Sequence, residues 1–155
     1  LELETVVVRR LTASRKTLAV AESCSGGLIA HRITNVPGAS EIFLGGVVAY
    51  SNAAKMTVLG VREENLMEKG AVSEATARAM AEGARRLFQS DYALSATGIA
   101  GPGGGTAEKP VGLVYIAVAC ADETRARRCC FSGDRESIKR QTAETALNML
   151  LEWFT

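Results

Sequence analysis

A short apolar run, Thr17–Ala21, ends at Glu22 and gives way to Ser23-Cys24-Ser25-Gly26-Gly27, and Leu28–Thr34 follows directly. The run is partly β-branched and too short for a helix, so it reads as a buried strand. Leu28–Thr34 reads as a helix, stopped by Asn35, Pro37 and Gly38. A strand, a tight turn and a helix in so few residues form the unit that α/β folds use to present a site. That unit constrains the chain more than any other feature of it.

The remaining segments fit the same class. Glu2–Ser14 carries Val6, Val7 and Leu11 at helical spacing, and Gly45–Ser51 reads as a strand ending at Tyr50. Short helices are expected over Ala53–Leu59 and Arg62–Lys69. Ser73 is placed to cap a longer helix reaching about Gln89. Tyr92–Thr97 is a buried strand that opens into the glycine-rich Gly98–Gly105. Val111–Cys120 and Arg125–Phe131 have hairpin separation across Ala121-Asp122-Glu123-Thr124, and Asp134 caps a final amphipathic helix to about Phe154. No repeat, low-complexity tract or linker interrupts residues 1–155, so a single domain is expected, long enough to bury a real core.

Composition removes several function classes. A formal net charge of +1 gives no basic surface for nucleic acid or anionic membrane, and 5% aromatics offer little for base stacking. Arg125, Arg127 and Arg128 read as a solvated strand end. No apolar run approaches the ~18 residues of a membrane span, and no secretory leader is visible. The four cysteines, Cys24, Cys120, Cys129 and Cys130, form no CxxC pair, and His31 is the one histidine, so no metal site is expected. Reduced thiols in a cytoplasmic protein follow from that pattern. Leu1 in place of Met is what a trimmed chain would show.

Three islands hold residue types that bare structure has little use for. The first, Ala21–Gly27, sets a serine in a strand-to-helix turn, where unpaired backbone N–H groups suit an oxyanion or a phosphate. Its plainer reading is a serine cap followed by glycines for close packing. The second, Val48–Lys55, puts Tyr50 and Asn52 at a strand mouth. If Asn52 caps the next helix, Lys55 falls in its first turn, either solvated or held as a low-pKa amine that can act as a base. The third, Thr97–Gly105, holds five glycines in eight residues, Gly98 to Gly105, and matches neither a P-loop nor a dinucleotide fingerprint. Such entropy cost is hard to explain unless backbone must approach something closely, with N–H groups donated to a phosphate or carboxamide; the plainer reading is a flexible hairpin-like loop. His31, one turn along the helix, reads as a helix-face residue. With His31 set aside as a helix-face residue, Ser–Lys activation is the serine mechanism left.

Taken in order, AESCSGG, VAYSNAAK, GAVSE, SATGIAGPGGG, EKPVG and FSGDR closely resemble the C-terminal domain of the competence-damage-inducible (CinA) protein family, from about Thr5 to Leu151. Stand-alone members of that family are nicotinamide mononucleotide deamidases. The resemblance implies a three-layer α/β/α domain with a mixed sheet, no cofactor and no metal. It also implies a homo-oligomer whose partner is a small-molecule substrate, with no nucleic acid or membrane. On it, Ser23, Lys55 and Tyr50 take the catalytic positions. Substrate contacts are expected from Ser25, Gly26, Gly27, Asn52, Thr97, Gly98, Gly101, Gly103, Gly104, Arg135 and Arg140. Many relatives carry Thr where Ser25 stands, a mild departure since either hydroxyl can bind substrate. The larger members add an N-terminal domain not present in this sequence, which leaves open a whole short protein or an excised domain.

The chemistry of the residues agrees with this. An amide is a poor electrophile and needs an activated nucleophile with donors for the developing oxyanion. Ser23 would attack after losing its proton to neutral Lys55, with Tyr50 holding Lys55 or relaying the proton. N–H groups near Ser25 and Gly26 are the oxyanion candidates, while Arg135, Lys139, Arg140 or the glycine loop would hold a phosphate. Two rival readings stay open: a catalytically idle module that binds a nucleotide or a partner, and an amidase for another small amide.

Overall fold

The computed structural model describes residues 1–154. Its centre is a five-stranded mixed sheet in the order β2-β1-β3-β4-β5. These strands are β1 (Leu18–Glu22), β2 (Phe43–Val48), β3 (Tyr92–Gly98), β4 (Leu113–Ala119) and β5 (Thr124–Cys130). β1 runs parallel to both β2 and β3, while β4 and β5 continue the sheet antiparallel. All five residues of β1 are buried, as a central strand covered on both faces requires.

Helices cover both faces. α1 (Leu3–Ser14), α2 (Leu28–Thr34) and α6 (Arg135–Leu151) enclose the larger core, which gathers Leu11, Ile29, Ile33, Ile116 and Leu147. Arg32 stitches that layer, bridging Glu4 at 2.8 Å and Glu144 at 2.8 Å. On the other face, α3 (Asn52–Leu59), α4 (Glu63–Glu68) and α5 (Glu74–Phe88) bury Leu59, Leu66, Met80 and Ala84 against β1 and β3. The expected three-layer α/β/α domain is therefore what the chain forms.

Most expected elements fall within a residue or two, and the exceptions have physical causes. β2 begins at Phe43 and ends at Val48, earlier than its sequence suggests, because its register is set by pairing with β1, from Leu18–Phe43 to Glu22–Val48. β4 starts at Leu113 because Gly112, at φ 94°, turns the chain just before it. The final α-helix stops at Leu151, and Glu152–Phe154 tightens into a 3₁₀ turn. Cys129 packs against the larger core while Cys130 is exposed, the opposite-face alternation of a strand, and all four cysteines are free. The β5 arginines are exposed and paired, Arg125 with Glu123 and Arg127 with Glu152. No helix among the described residues is long and apolar enough to cross a membrane.

One glycine sets the distance between α3 and α5. A Cβ on Gly83 would run into the Leu59 carbonyl at the end of α3. Gly83→Ala gains up to ~1 kcal/mol of helix propensity, but it forces backbone apart in a packed interface. A net loss of about 1–3 kcal/mol is expected, read as a lower unfolding midpoint in denaturant. A variant as stable as the parent would show that α3 is not held this tightly.

Candidate active site

The carboxyl ends of β2, β1 and β3 meet at one sheet edge, where open α/β sheets bind ligands. Glu22 is paired with Val48 on one side and Ala96 on the other. Just beyond, Ser23 N–H donates to Ala96 O at 2.9 Å and Ala49 N–H donates to Glu22 O at 2.8 Å. Ser23 and Ala49 thus leave the sheet side by side. From Ala49 the chain passes Tyr50 to Ser51, whose hydroxyl accepts from Ala54 N–H at 3.0 Å and starts α3. Ser51 takes the cap expected of Asn52, which becomes the first residue of α3. Lys55 still falls in the opening turn, and its side chain reaches back over Ser23.

Lys55 is 1% exposed, and its Nζ lies 2.9 Å from Ser23 Oγ. It also donates to Ala49 O at 2.8 Å and Tyr50 O at 3.2 Å. Among the described residues no carboxylate forms an ion pair with it. Burial pushes its pKa below the ordinary lysine value. Cys24 opposes that shift only when ionised, and burial pushes the Cys24 thiol itself up to about 12. A neutral amine has two N–H donors and one lone pair. The two carbonyls take the donors, so the lone pair is left facing Ser23. That is the arrangement a general base needs, at hydrogen-bond distance from the proton it removes.

Glu22 was not among the expected site residues. It is fully buried at the end of β1 and accepts from Ser25 Oγ at 2.6 Å, Gly27 N–H at 3.2 Å, Ile29 N–H at 3.0 Å and Ala30 N–H at 2.9 Å. The start of α2 therefore already holds an anion, one built into the chain. Gly26 N–H is also engaged, donating to Ser23 O at 3.1 Å. The Gly26 amide, expected beside that of Ser25 as an oxyanion donor, is thus taken up within the turn, and the Gly27 amide is held by Glu22. Within Ser23–Leu28, only the amides of Cys24 and Ser25 have no backbone or carboxylate acceptor among the described residues. The Ser25 hydroxyl, expected to meet substrate, is buried and turned to Glu22.

Ser23 and Lys55 open into a cleft of about 220 Å³ lined by Cys24, Tyr50, Asn52, Ala71, Val72, Thr97, Gly98, Ala100 and Arg135. Sequence reasoning placed Ser23, Tyr50, Asn52, Lys55, Thr97, Gly98 and Arg135 in one site, and the fold brings them together. The Tyr50 phenol, however, does not touch Lys55. It accepts from Arg135 Nη2 at 2.9 Å, while Arg135 Nη1 donates to Gly101 O at 2.7 Å, bridging the cleft mouth. Thr97 Oγ1 donates to Ala71 O at 2.8 Å.

The glycine loop has a different explanation from the expected one. A Cβ on Gly98 would stand 2.6 Å from Leu113 O, one on Gly105 would stand 2.7 Å from Val111 N, and one on Gly101 would strike the Val111 side chain. The close approach is to the chain's own entry into β4. Gly103 and Gly104 are exposed and do not line the cleft. Arg140 also lies outside it. With Ser25, Gly26, Gly27, His31, Glu136 and Lys139 it lines a separate basin of about 460 Å³. A larger basin of about 570 Å³ among α1, α2 and α6 is lined by Arg32 and the two glutamates it pairs with, Glu4 and Glu144. Ala71 and Val72 carry no chemical signature, and only the folded chain shows that they form a cleft wall.

The family model for the CinA C-terminal domain matches residues 1–154. A competence-damage inducible protein of Caldicellulosiruptor bescii is 57% identical over 148 residues, covering 96% of this chain and 36% of its own length. The chain thus spans about a third of the curated relatives it matches. Among solved structures, the competence/damage inducible protein CihA of Agrobacterium tumefaciens superposes with a TM-score of 0.93 at 38% identity, covering 100% of this chain and 98% of that one. A competence or damage-inducible protein of Enterobacter asburiae gives a TM-score of 0.96 at 34% identity, covering 99% and 97%.

The Lys55 geometry makes a prediction independent of substrate. A fluorophosphonate reagent should modify Ser23 at a rate that rises with pH as Lys55 loses its proton, then levels off above its lowered pKa. Lys55→Arg keeps the charge but holds its proton, since guanidinium pKa exceeds ~12, and should react as slowly as Lys55→Ala. A fully reactive Lys55→Arg protein would remove Lys55 as the base.

Proposed function

This chain belongs to the CinA C-terminal domain family, and we propose that it is an amidohydrolase that converts nicotinamide mononucleotide to nicotinic acid mononucleotide and ammonia. The observation that carries the reaction type is Lys55 Nζ at 2.9 Å from Ser23 Oγ in a buried site. A pure binding module has no need for a lysine that is both desolvated and set against a serine. The substrate follows from the family resemblance, and the dimensions of the cleft agree with it. At about 220 Å³ the cleft is smaller than the ~300–1,000 Å³ typical of whole-ligand pockets. It admits a planar ring with its carboxamide and leaves the rest of a nucleotide outside.

In this reading Ser23 Oγ attacks the carboxamide carbon as its proton passes to Lys55. The Cys24 and Ser25 amides stabilise the oxyanion. When the intermediate collapses, the C–N bond breaks, Lys55 returns the proton to nitrogen, and ammonia leaves an ester on Ser23. Water, deprotonated by Lys55, then attacks the ester. The acid is released and Ser23 recovers its proton. Tyr50 holds the base through its backbone carbonyl, and its ring offers a face to a cationic pyridinium.

The phosphate finds its anchor in the neighbouring basin. The turn that presents Ser23 and Cys24 to the cleft presents Ser25, Gly26 and Gly27 to the basin, so the two are adjacent. Two of the five Arg135 N–H donors are engaged, by Tyr50 and Gly101, and Arg140 faces Glu136 at 3.8 Å. Lys139 has neither an ion pair nor a side-chain hydrogen bond to any described residue, and it sits over Gly26, 3.2 Å from where a Cβ would be.

Incubation with nicotinamide mononucleotide should yield ammonia and nicotinic acid mononucleotide in equal amounts. Ser23→Ala should lower kcat at least ~10³-fold in a folded protein. Lys139→Ala should raise KM roughly 10–100-fold, the worth of a hydrogen bond to a charged group, with kcat nearly unchanged. Nucleotide binding without ammonia release would support the idle binding module instead, and hydrolysis of other amides alone would leave the amidase and replace its substrate.

A further inference from the structure

We infer that Glu22 is a positioning residue for Ser23: its carboxylate holds the Ser23–Gly27 turn in the shape that leaves the Cys24 and Ser25 amides for the oxyanion. The inference rests on the amidohydrolase reading and adds to it the group that builds the oxyanion site. Glu22 sits at both ends of the turn at once. Its backbone is fixed in the sheet, pairing with Val48 and Ala96, and its carbonyl accepts from Ala49 N–H at 2.8 Å. Its side chain crosses the turn to the start of α2, where Oε1 takes Ser25 Oγ, Gly27 N–H and Ile29 N–H, and Oε2 takes Ala30 N–H. An ordinary capping side chain takes one of the orphan donors of a helix. Here one carboxylate takes three amides and a hydroxyl while 0% exposed, and no ion pair among the described residues accounts for its burial.

This arrangement has a chemical consequence. A helix start with free amides would compete with Cys24 and Ser25 for the developing negative charge, at positions further from Ser23. With Gly27, Ile29 and Ala30 committed to Glu22, and Gly26 N–H donating to Ser23 O at 3.1 Å, the two amides of the turn with no backbone or carboxylate acceptor among the described residues are those directly following the nucleophile. Among the described residues Glu22 shares no hydrogen bond or ion pair with Lys55, so its effect passes through the geometry of the turn. The base should titrate as before.

Glu22→Gln keeps the size of the side chain but turns an amide NH₂ toward donors, so the first turn of α2 must shift. The expected result is a kcat lower by about 10–100-fold, short of the 10²–10³ lost when an oxyanion donor is removed outright. KM should stay within about threefold, and the pH midpoint of the rate should not move. Modification of Ser23 by a fluorophosphonate, which also places an oxygen in the oxyanion site, should slow in parallel. A purely structural role would lower the unfolding midpoint and leave kcat per folded molecule intact, and that outcome overturns the inference. If Glu22→Gln does not fold, Ser25→Ala keeps the carboxylate and its three amides and should lower kcat and labelling several-fold; parental rates would overturn it. A parent enzyme that labels at Ser23 but hydrolyses no amide would instead sink the proposed substrate chemistry, with the labelling comparison still reporting on Glu22.

Discussion

Everything in this site depends on an amine buried, among the described residues, with no counter-ion. Lys55 reaches the floor of the cleft beside Ser23, and the other described groups on its Nζ are two backbone carbonyls. A desolvated ammonium with no carboxylate is expensive, and loss of the proton is the cheapest way to relieve that cost. The surroundings follow from this need. β2 must end beside β1 so that Ala49 and Tyr50 turn their carbonyls inward, Ser51 must start α3 at once, and Gly83 must let the far end of α3 lie close to α5. The same group couples stability to pH. The unfolded chain holds the Lys55 proton more tightly than the folded one, so between the two pKa values this residue makes the fold more stable as pH rises.

A second charge is managed in the opposite way. Glu22 is as buried as Lys55, yet it is surrounded by donors, and the start of α2 serves as its solvent. Two buried ionisable groups therefore stand on adjacent elements without meeting. One has no charged partner among the described residues, as the proposed base requires, and the other is surrounded by donors that tie it to a backbone turn. Opposite environments give opposite roles, which is how one small sheet edge supports both a reactive base and a rigid nucleophile turn.

Much of this was legible in the chain and some was not. α2 was readable to the residue because Gly27 and Asn35-Pro37-Gly38 punctuate it locally. β2 was misplaced because its two glycines give no side-chain pattern, and pairing with β1, a long-range event, sets its ends. Ser51 and Asn52 are equally good caps in isolation; the exit from the sheet selects Ser51. The glycine loop shows the limit most clearly. Sequence reveals that backbone must pass close to something, but not whether that is a ligand or, as at Gly98, Gly101 and Gly105, the chain's own Val111–Val114. Glu22 stands in the first island with no role that its neighbours in sequence assign, and its part becomes visible only when α2 is folded over it.

The central claim is that burial lowers the pKa of Lys55, as the proposed base requires. Titrating its side-chain nitrogen by NMR in protein carrying ¹⁵N-lysine, with the signal assigned by its loss in Lys55→Arg, tests that without any substrate. The account predicts a midpoint clearly below the ~10.4 of a free lysine, with the shift in the direction that burial imposes. A midpoint at or above that value would mean Lys55 stays an ammonium beside Ser23, and the base would have to be sought elsewhere.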